Sequence, residues 1–270
     1  MSNIFGNNRN VGQRGPKGKD AFDLIQWAPN GIKKLFRESE EVNIYFNTAT
    51  DGVIYKDKKP IALKNRGLGV NAKFLGKKFP NIKQIKEDNW MIELQDSIFE
   101  VNPAPMGCEN FSTAIFLFTF KALEANGVPG KPRILFSNKS GTRAVSVEEK
   151  EIKGRYFGSL KIYSSGTEKE IPFEQGQWTG VFIQYTCKNG VVYCQYRTAD
   201  TEGSLEVGKE DPKDDFILYI GGHPEKTMAN EAMGSFELYF RPDIKNEEDS
   251  ILSKKMQKCL IKDILDRVDE

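Results

Sequence analysis

Three carboxylates stand close together in one stretch, Glu93-Leu-Gln-Asp96-Ser-Ile-Phe-Glu100. Paired carboxylates are the machinery of glycoside hydrolysis: one protonates the leaving oxygen while the other attacks the sugar or activates water. The retaining version needs the two groups about 5–5.5 Å apart. On a strand, that separation comes from alternate positions, which share a face. The three-residue step from Glu93 to Asp96 puts them on opposite faces unless a bulge intervenes. Hydrolysis is therefore the minor reading.

Other catalytic chemistries find even less material. Asp211, Asp214 and Asp215 cluster before a strand, but Lys209 and Lys213 interleave, and the segment reads as a solvated loop rather than a calcium site. The chain has 1 histidine, His223, so a histidine-based zinc site or a Cys/His catalytic pair is disfavoured. Gly67-Leu-Gly69 lacks the further glycine and the strand-to-helix setting of a dinucleotide fingerprint. No Gly-x-Ser-x-Gly elbow occurs. The chain is expected to need no metal and no cofactor, and not to be an enzyme.

Two polar loops offer binding chemistry instead. Ser137–Arg143 carries Asn138, Lys139 and Arg143, and residues 222–231 carry His223, Lys226 and Asn230. Amide, ammonium, guanidinium and imidazole groups at strand ends suit sugars or acidic ligands. A lone histidine between Gly221-Gly222 and Pro224 is expected at the surface. A third feature is basic: residues 56–86 hold ten Lys/Arg against one acid, Asp57. That stretch reads first as a solvated strand-and-loop surface and second as a contact for phosphates or acidic glycans. Phe74 and Phe79 within it read as core rather than as stacking platforms.

Strands must position these groups. From residue 41 onward, short apolar or alternating runs are separated by turn residues, with no helical pattern between them until the C-terminus. Phe111–Phe120 is almost wholly apolar, so both of its faces should be covered. Lys188-Asn189-Gly190-Val191 carries the Asn-Gly signal of a type I′ hairpin. That turn places Cys187 opposite Val192, Tyr185 opposite Cys194 and Ile183 opposite Tyr196, all on one face. The two cysteines are then diagonal neighbours, ill placed for a disulfide. At the C-terminus, Leu252, Met256, Cys259/Leu260, Ile264 and Val268 form one stripe of a helix capped near Asp249 or Ser250, which should dock on its own domain.

The N-terminus differs. Residues 1–20 form a basic, flexible tail containing three Gly-X-Y triplets that start at Gly12, Gly15 and Gly18, the collagen pattern in miniature. Residues 21–40 follow as an apolar connector, with Phe22, Leu24, Ile25 and Trp27 available for assembly. The remaining divisions are a basic β-rich segment at 41–88, part of or packed on a sandwich at 89–246, and the helix at 247–270. The 270 residues carry 39 basic and 38 acidic side chains, which excludes a uniformly basic nucleic-acid binder. Aromatic residues at 11% argue against disorder. No apolar run reaches the ~18 residues needed to span a bilayer, and no secretory signal is evident.

The order of landmarks from about residue 85 resembles the concanavalin A-like (laminin G-like) domains. Trp90–Val101 resembles their opening strand, Phe111–Phe120 the "Phe-Thr-Ile-Ser-Phe-Trp" strand, and Gly176-Gln-Trp178-Thr-Gly-Val the "Gly-x-Trp-x-x-Val" strand before the hairpin. Leu218–Gly222 and Gly234–Tyr239 resemble the paired closing strands. The resemblance implies an all-β, antiparallel jelly-roll β-sandwich. Hydrolases of that fold carry Glu-x-Asp-x-x-Glu, from which Glu93/Asp96/Glu100 departs in its first spacing. Short Gly-X-Y tracts joined to such a head resemble viral and phage fibres and surface projections. The expected function is thus a non-enzymatic attachment protein, homotrimeric, binding a glycan or cell-surface receptor. It would sit on a virion, or in the cytoplasm before assembly, with its tail on a capsid or shell and no membrane insertion. The alternatives are a structural capsid-type protein with a nucleic-acid-binding tail and a glycoside hydrolase.

Overall fold

The computed structural model describes residues 44–46, 52–65, 70–86, 89–101, 112–123, 131–141, 143–164, 166–188, 191–209, 217–226, 229, 231–241 and 254–268. Gly12, Gly15, Gly18, Phe22, Leu24, Ile25, Trp27, Asp211, Asp214, Asp215 and Asn230 lie outside the described residues. In chain order the strands are β1 (Ile44–Phe46), β2 (Val53–Lys56), β3 (Lys59–Leu63), β4 (Ala72–Phe74), β5 (Asn81–Lys86) and β6 (Asn89–Glu93). There follow β7 (Phe99–Val101), β8 (Ser112–Lys121), β9 (Arg133–Asn138), β10 (Arg143–Ile152), β11 (Arg155–Ser164) and β12 (Thr167–Phe173). The chain continues through β13 (Thr179–Lys188), β14 (Val191–Arg197), β15 (Glu202–Lys209), β16 (Leu218–Ile220), β17 (Ala232–Arg241) and the helix α1 (Lys254–Asp266).

These strands form two sheets. An 8-stranded sheet runs β15-β14-β13-β8-β17-β6-β5, with β1 also on β17, and a 9-stranded sheet runs β12-β11-β10-β9-β16-β7-β4-β3-β2. Every pairing is antiparallel. The architecture is the antiparallel β-sandwich expected from the strand pattern. The segment 41–88 supplies strands to both sheets: β2, β3 and β4 to one edge of the 9-stranded sheet, β1 and β5 to the other sheet.

The core follows from two-residue alternation. On β8, Phe116, Phe118 and Phe120 belong to the core cluster between the sheets, as do Val181 and Ile183 of β13 and Val145, Val147, Leu160 and Ile162 of the opposing sheet. Burying each large side chain contributes about 1.5–3 kcal/mol. The other face of β8, Ile115, Leu117 and Thr119, is fully buried as well. Helix α1 covers that outer face, packing on β13, β8 and β17, with Cys259, Leu260, Ile261, Ile264 and Val268 turned inward. Gly180 makes the close approach possible, because a Cβ there would lie 2.8 Å from Leu265 Cγ. Polar contacts also join helix to sheet: Arg197 Nε donates to Gln257 Oε1 at 3.1 Å, Gln257 Nε2 to Gln195 Oε1 at 3.3 Å and Lys254 Nζ to Glu202 Oε1 at 2.9 Å. The expected helix cap at Asp249 or Ser250 lies outside the described residues.

The hairpin register is the one the Asn-Gly turn predicts: Cys187 pairs with Val192, Tyr185 with Cys194 and Ile183 with Tyr196. Ile183, Tyr185, Cys194 and Tyr196 all join the core, and Cys194 is buried as a thiol. Among the described residues no helix is long and apolar enough to cross a membrane.

Candidate functional site

The structure brings the two polar loops together, which the sequence did not indicate. Asn138 ends β9 and is buried, while Lys139 and Ser140 occupy an exposed turn closed by Gly141 N–H donating to Asn138 O at 3.1 Å. The 222–226 segment folds back against it. Ser137 Oγ donates to Gly222 O at 3.1 Å, and the Lys226 ammonium lies where a side chain on Gly141 would have to go.

His223 corrects the expectation of a surface histidine, for it is 5% exposed. Its Nδ1 accepts the Glu225 N–H at 3.1 Å, which leaves Nε2 to donate to Lys139 O at 2.9 Å. Both ring nitrogens are thereby used within the protein, and the Tyr219 ring packs edge-on at 5.5 Å. The imidazole clips one loop to the other. Lys139 and Lys226 keep exposed ammonium groups, Arg143 opens β10, and Asn138 is 1% exposed.

The carboxylate set separates. Glu93 ends β6 in the 8-stranded sheet, and Glu100 lies on β7 in the 9-stranded one. Gln95 and Asp96, with φ of 38° and 60°, form the left-handed turn that carries the chain between sheets. The parity rule treats this stretch as one strand, whereas the sheet change parts the carboxylates more thoroughly. Glu93 accepts from Asn81 Nδ2 at 2.7 Å, Lys83 Nζ at 2.5 Å and Gln95 Nε2 at 3.3 Å. Burial pushes its carboxyl up, but these donors and the Lys83 charge outweigh burial and hold it below the usual range. That is opposite to the shift a general acid needs. Glu100 sits beside Tyr219, whose hydroxyl is held up first by burial and then by the Glu100 charge.

Near the same end of the sandwich is a charged cluster with no evident sign in the sequence. Arg133 Nε donates to Glu231 Oε1 at 2.5 Å, and its guanidinium also reaches Glu149 at 3.4 Å. All three side chains are nearly buried. Burial pushes the guanidinium down, and the two carboxylates more than offset it, so it is held above its ordinary value. Gln175 Nε2 donates to Glu149 at 3.3 Å, which ties the β12–β13 turn to the cluster.

That turn forms one wall of a cleft of about 420 Å³. Phe173 and Trp178 provide its apolar surface, and Glu174, Gln177, Asp200 and Thr201 provide polar groups. Phe173 is set by Gly158, its cross-strand partner, whose missing Cβ leaves room for the ring. The ring also meets Phe120 edge-on at 5.0 Å. Trp178 packs against Gly234, with Lys121 Nζ 5.8 Å from its ring centre. The opposite wall is the β14–β15 turn, held by Thr198 N–H to Thr201 O at 2.7 Å and Thr201 N–H to Thr198 Oγ1 at 3.1 Å. Glu174 and Asp200 are the charged groups of the lining. Partly exposed aromatic surface beside carboxylate, amide and hydroxyl groups can take the C–H face of a sugar ring and hydrogen-bond its hydroxyls. Among the described residues no group of three or more His, Cys, Asp or Glu side chains is placed to hold a metal ion.

No protein-family model matches this sequence, and no curated protein resembles it in sequence. Solved structures resemble it in fold. Domain 4 of AbnA, a GH43 extracellular arabinanase from Geobacillus stearothermophilus solved with arabinotriose, is 12% identical over 85% of this chain and 100% of that one, with a TM-score of 0.45. The botulinum neurotoxin serotype D ligand binding domain, solved with N-acetylneuraminic acid, is 12% identical over 78% of this chain and 50% of that one, with a TM-score of 0.45. A GH54 arabinofuranosidase is 6% identical over 77% of this chain and 51% of that one, also at 0.45. The likeness is to the β-sandwich alone.

Proposed function

We propose that the chain is a non-enzymatic recognition module whose cleft binds a neutral glycan. The observation that carries the reading is the cleft itself: Trp178 and Phe173 beside Glu174, Gln177, Asp200 and Thr201. Its volume of about 420 Å³ falls within the ~300–1,000 Å³ usual for ligand sites. Its lining carries two carboxylates and no cation, so uncharged sugars suit it better than acidic ones. Lys139 and Lys226, on the clipped loops, would add receptor contacts. The fuller form of the proposal has the triplets from Gly12 to Gly18 and the segment Phe22–Trp27 joining heads into a homotrimeric attachment projection on a virion, with cytoplasmic synthesis beforehand.

A glycan array followed by calorimetric titration of the full chain tests the reading. Neutral oligosaccharides should bind, with affinity falling at least tenfold in Trp178→Ala and in Asp200→Asn. No neutral glycan bound at millimolar concentration, or binding indifferent to both substitutions, would overturn it. Release of reducing ends that stops in Glu174→Gln would favour the hydrolase reading instead. Sedimentation of the full chain and of a form lacking residues 1–37 tests the trimer, which should fall to monomer on truncation.

A further inference from the structure

Four of the described lysines lie against carboxylates, while others, at several places on the surface, carry no ion pair among the described residues. Lys83, Lys150, Lys161 and Lys254 each lie against a carboxylate, at 2.5 Å from Glu93, 3.3 Å from Glu170, 2.6 Å from Glu148 and 2.9 Å from Glu202. Lys56, Lys58, Lys59, Lys77 and Lys78 are exposed and carry no ion pair among the described residues. Within residues 56–86, Lys83 is thus neutralised by Glu93, whereas these five lysines have no carboxylate partner among the described residues.

The exposed apolar side chains gather in the same place. Seven large apolar residues are exposed among those described, and five of them, Tyr55, Ile61, Val70, Leu75 and Phe79, fall in this one segment. Packing makes the coincidence spatial. The β2–β3 hairpin turns at Asp57 and Lys58, with φ of 51° and 64°, and pairs Lys56 with Lys59. Lys59 Nζ stands 5.6 Å from the Phe79 ring centre. Phe79 stacks on Phe74 at 4.7 Å, and Phe74 packs on core Phe99 at 5.6 Å. The hairpin and the Leu75–Phe79 loop thus form one rim, at the β2 edge of the 9-stranded sheet. The glycan cleft adjoins β12 at the other edge.

Lysines commonly guard an exposed sheet edge against pairing with other chains. That role fits Lys56 but not Lys77 and Lys78, which lie in a loop, and it gives no reason for Tyr55 and Leu75 to stand in water. A soluble polyanion would use the lysines and gain little from the aliphatic side chains. Phe79 is already stacked on Phe74 and approached by Lys59, so it makes a poor platform for a nucleic-acid base. An anionic lipid surface uses both chemistries at once: lysines at the headgroups, and Tyr55, Ile61 and Leu75 in the interfacial layer.

We infer that this rim docks the domain peripherally on an anionic bilayer, without spanning it. The test is co-sedimentation of the full chain with vesicles of phosphatidylcholine alone and of phosphatidylcholine with about a third phosphatidylserine, near the composition range where the lysine effect operates. Binding should require phosphatidylserine and weaken with salt. Each lysine near such a surface is worth about fivefold in partitioning, so Lys58→Glu/Lys77→Glu/Lys78→Glu should lower it by about a hundredfold or more. Tyr55→Ser/Leu75→Ser should lower it several-fold even at high salt, and Trp178→Ala should leave it unchanged. Unaltered urea midpoints would show that the variants remain folded. Absence of vesicle binding at low salt, or equal binding to both vesicles, would overturn the inference. So would tight binding to heparin or RNA together with indifference of vesicle binding to Tyr55→Ser/Leu75→Ser, which would assign the rim to a soluble acidic polymer.

Discussion

Gly158→Ala is the sharpest probe of how the cleft is built, because Gly158 touches the cleft only through Phe173. The backbone at Gly158 lies outside the left-handed region, so alanine is conformationally permitted. By itself the change would stabilise the protein by about 0.4–1 kcal/mol through the unfolded chain. Sterically it is not permitted: the new Cβ would lie 2.5 Å from Phe173 Cε2 and 2.9 Å from Cε1. Carbon atoms rest about 3.5–4.0 Å apart, so the ring must withdraw by roughly an ångström. Overpacking of this kind costs about 1–3 kcal/mol, and loss of the edge-on contact with Phe120 adds to it. The expected net loss is about 1–2 kcal/mol, with weakened glycan binding. Urea unfolding and calorimetric titration measure the two effects. In a Phe173→Ala background the clash is gone, and Gly158→Ala should be neutral or stabilising. An equal loss in both backgrounds, or a gain in the parent, would refute the packing account of the cleft wall.

Arg133→Met should cost about 3–5 kcal/mol in urea unfolding, since it leaves Glu231 and Glu149 buried without their cation; a loss below about 1 kcal/mol would mean water already reaches the cluster. Glu93 has a lowered carboxyl in the folded state, so its stabilisation is full above the unfolded value and is lost as pH falls through the folded one. Glu93→Gln should accordingly flatten the acid limb of the stability–pH curve, and a parallel limb would contradict the assigned donors. Gly180→Ala should push on Leu265 and loosen α1, read as faster amide exchange across residues 254–268 with the sheet's slowest amides unchanged.

The sandwich was legible because strand alternation and turn residues are local signals. The Lys188–Val191 turn even gives the pairing of Tyr185 with Cys194, since an Asn-Gly hairpin leaves one register. The almost wholly apolar run Phe111–Phe120 likewise announced a covered outer face, which α1 supplies. The loops around Lys139 and Lys226 were legible as polar loops at strand ends, but their contact with each other was not. The inward turn of His223 was not, because a histidine that satisfies backbone groups looks the same in sequence as one that faces solvent. The cleft was invisible for a different reason. Phe173, Trp178, Asp200 and Leu265 come from separate elements, and each alone is an ordinary strand, loop or helix residue. Trp178 stood out only as a fold landmark. The Arg133 cluster shows the same limit, with one partner, Glu149, on the neighbouring strand and the other, Glu231, 98 residues away.

Strand β17 is flanked by β8 on one side and on the other by β6 and β1, so it joins the earliest described strand to one of the last. During synthesis, the apolar β8 leaves the ribosome long before β13 and β17 exist to flank it. Such a strand, rich in Phe and almost uncharged, is a template for pairing with other nascent chains. Distant antiparallel partners also make closure slow. The domain therefore cannot fold piecemeal from its N-terminal half, and its yield in a cell depends on keeping β8 shielded until the C-terminal strands arrive.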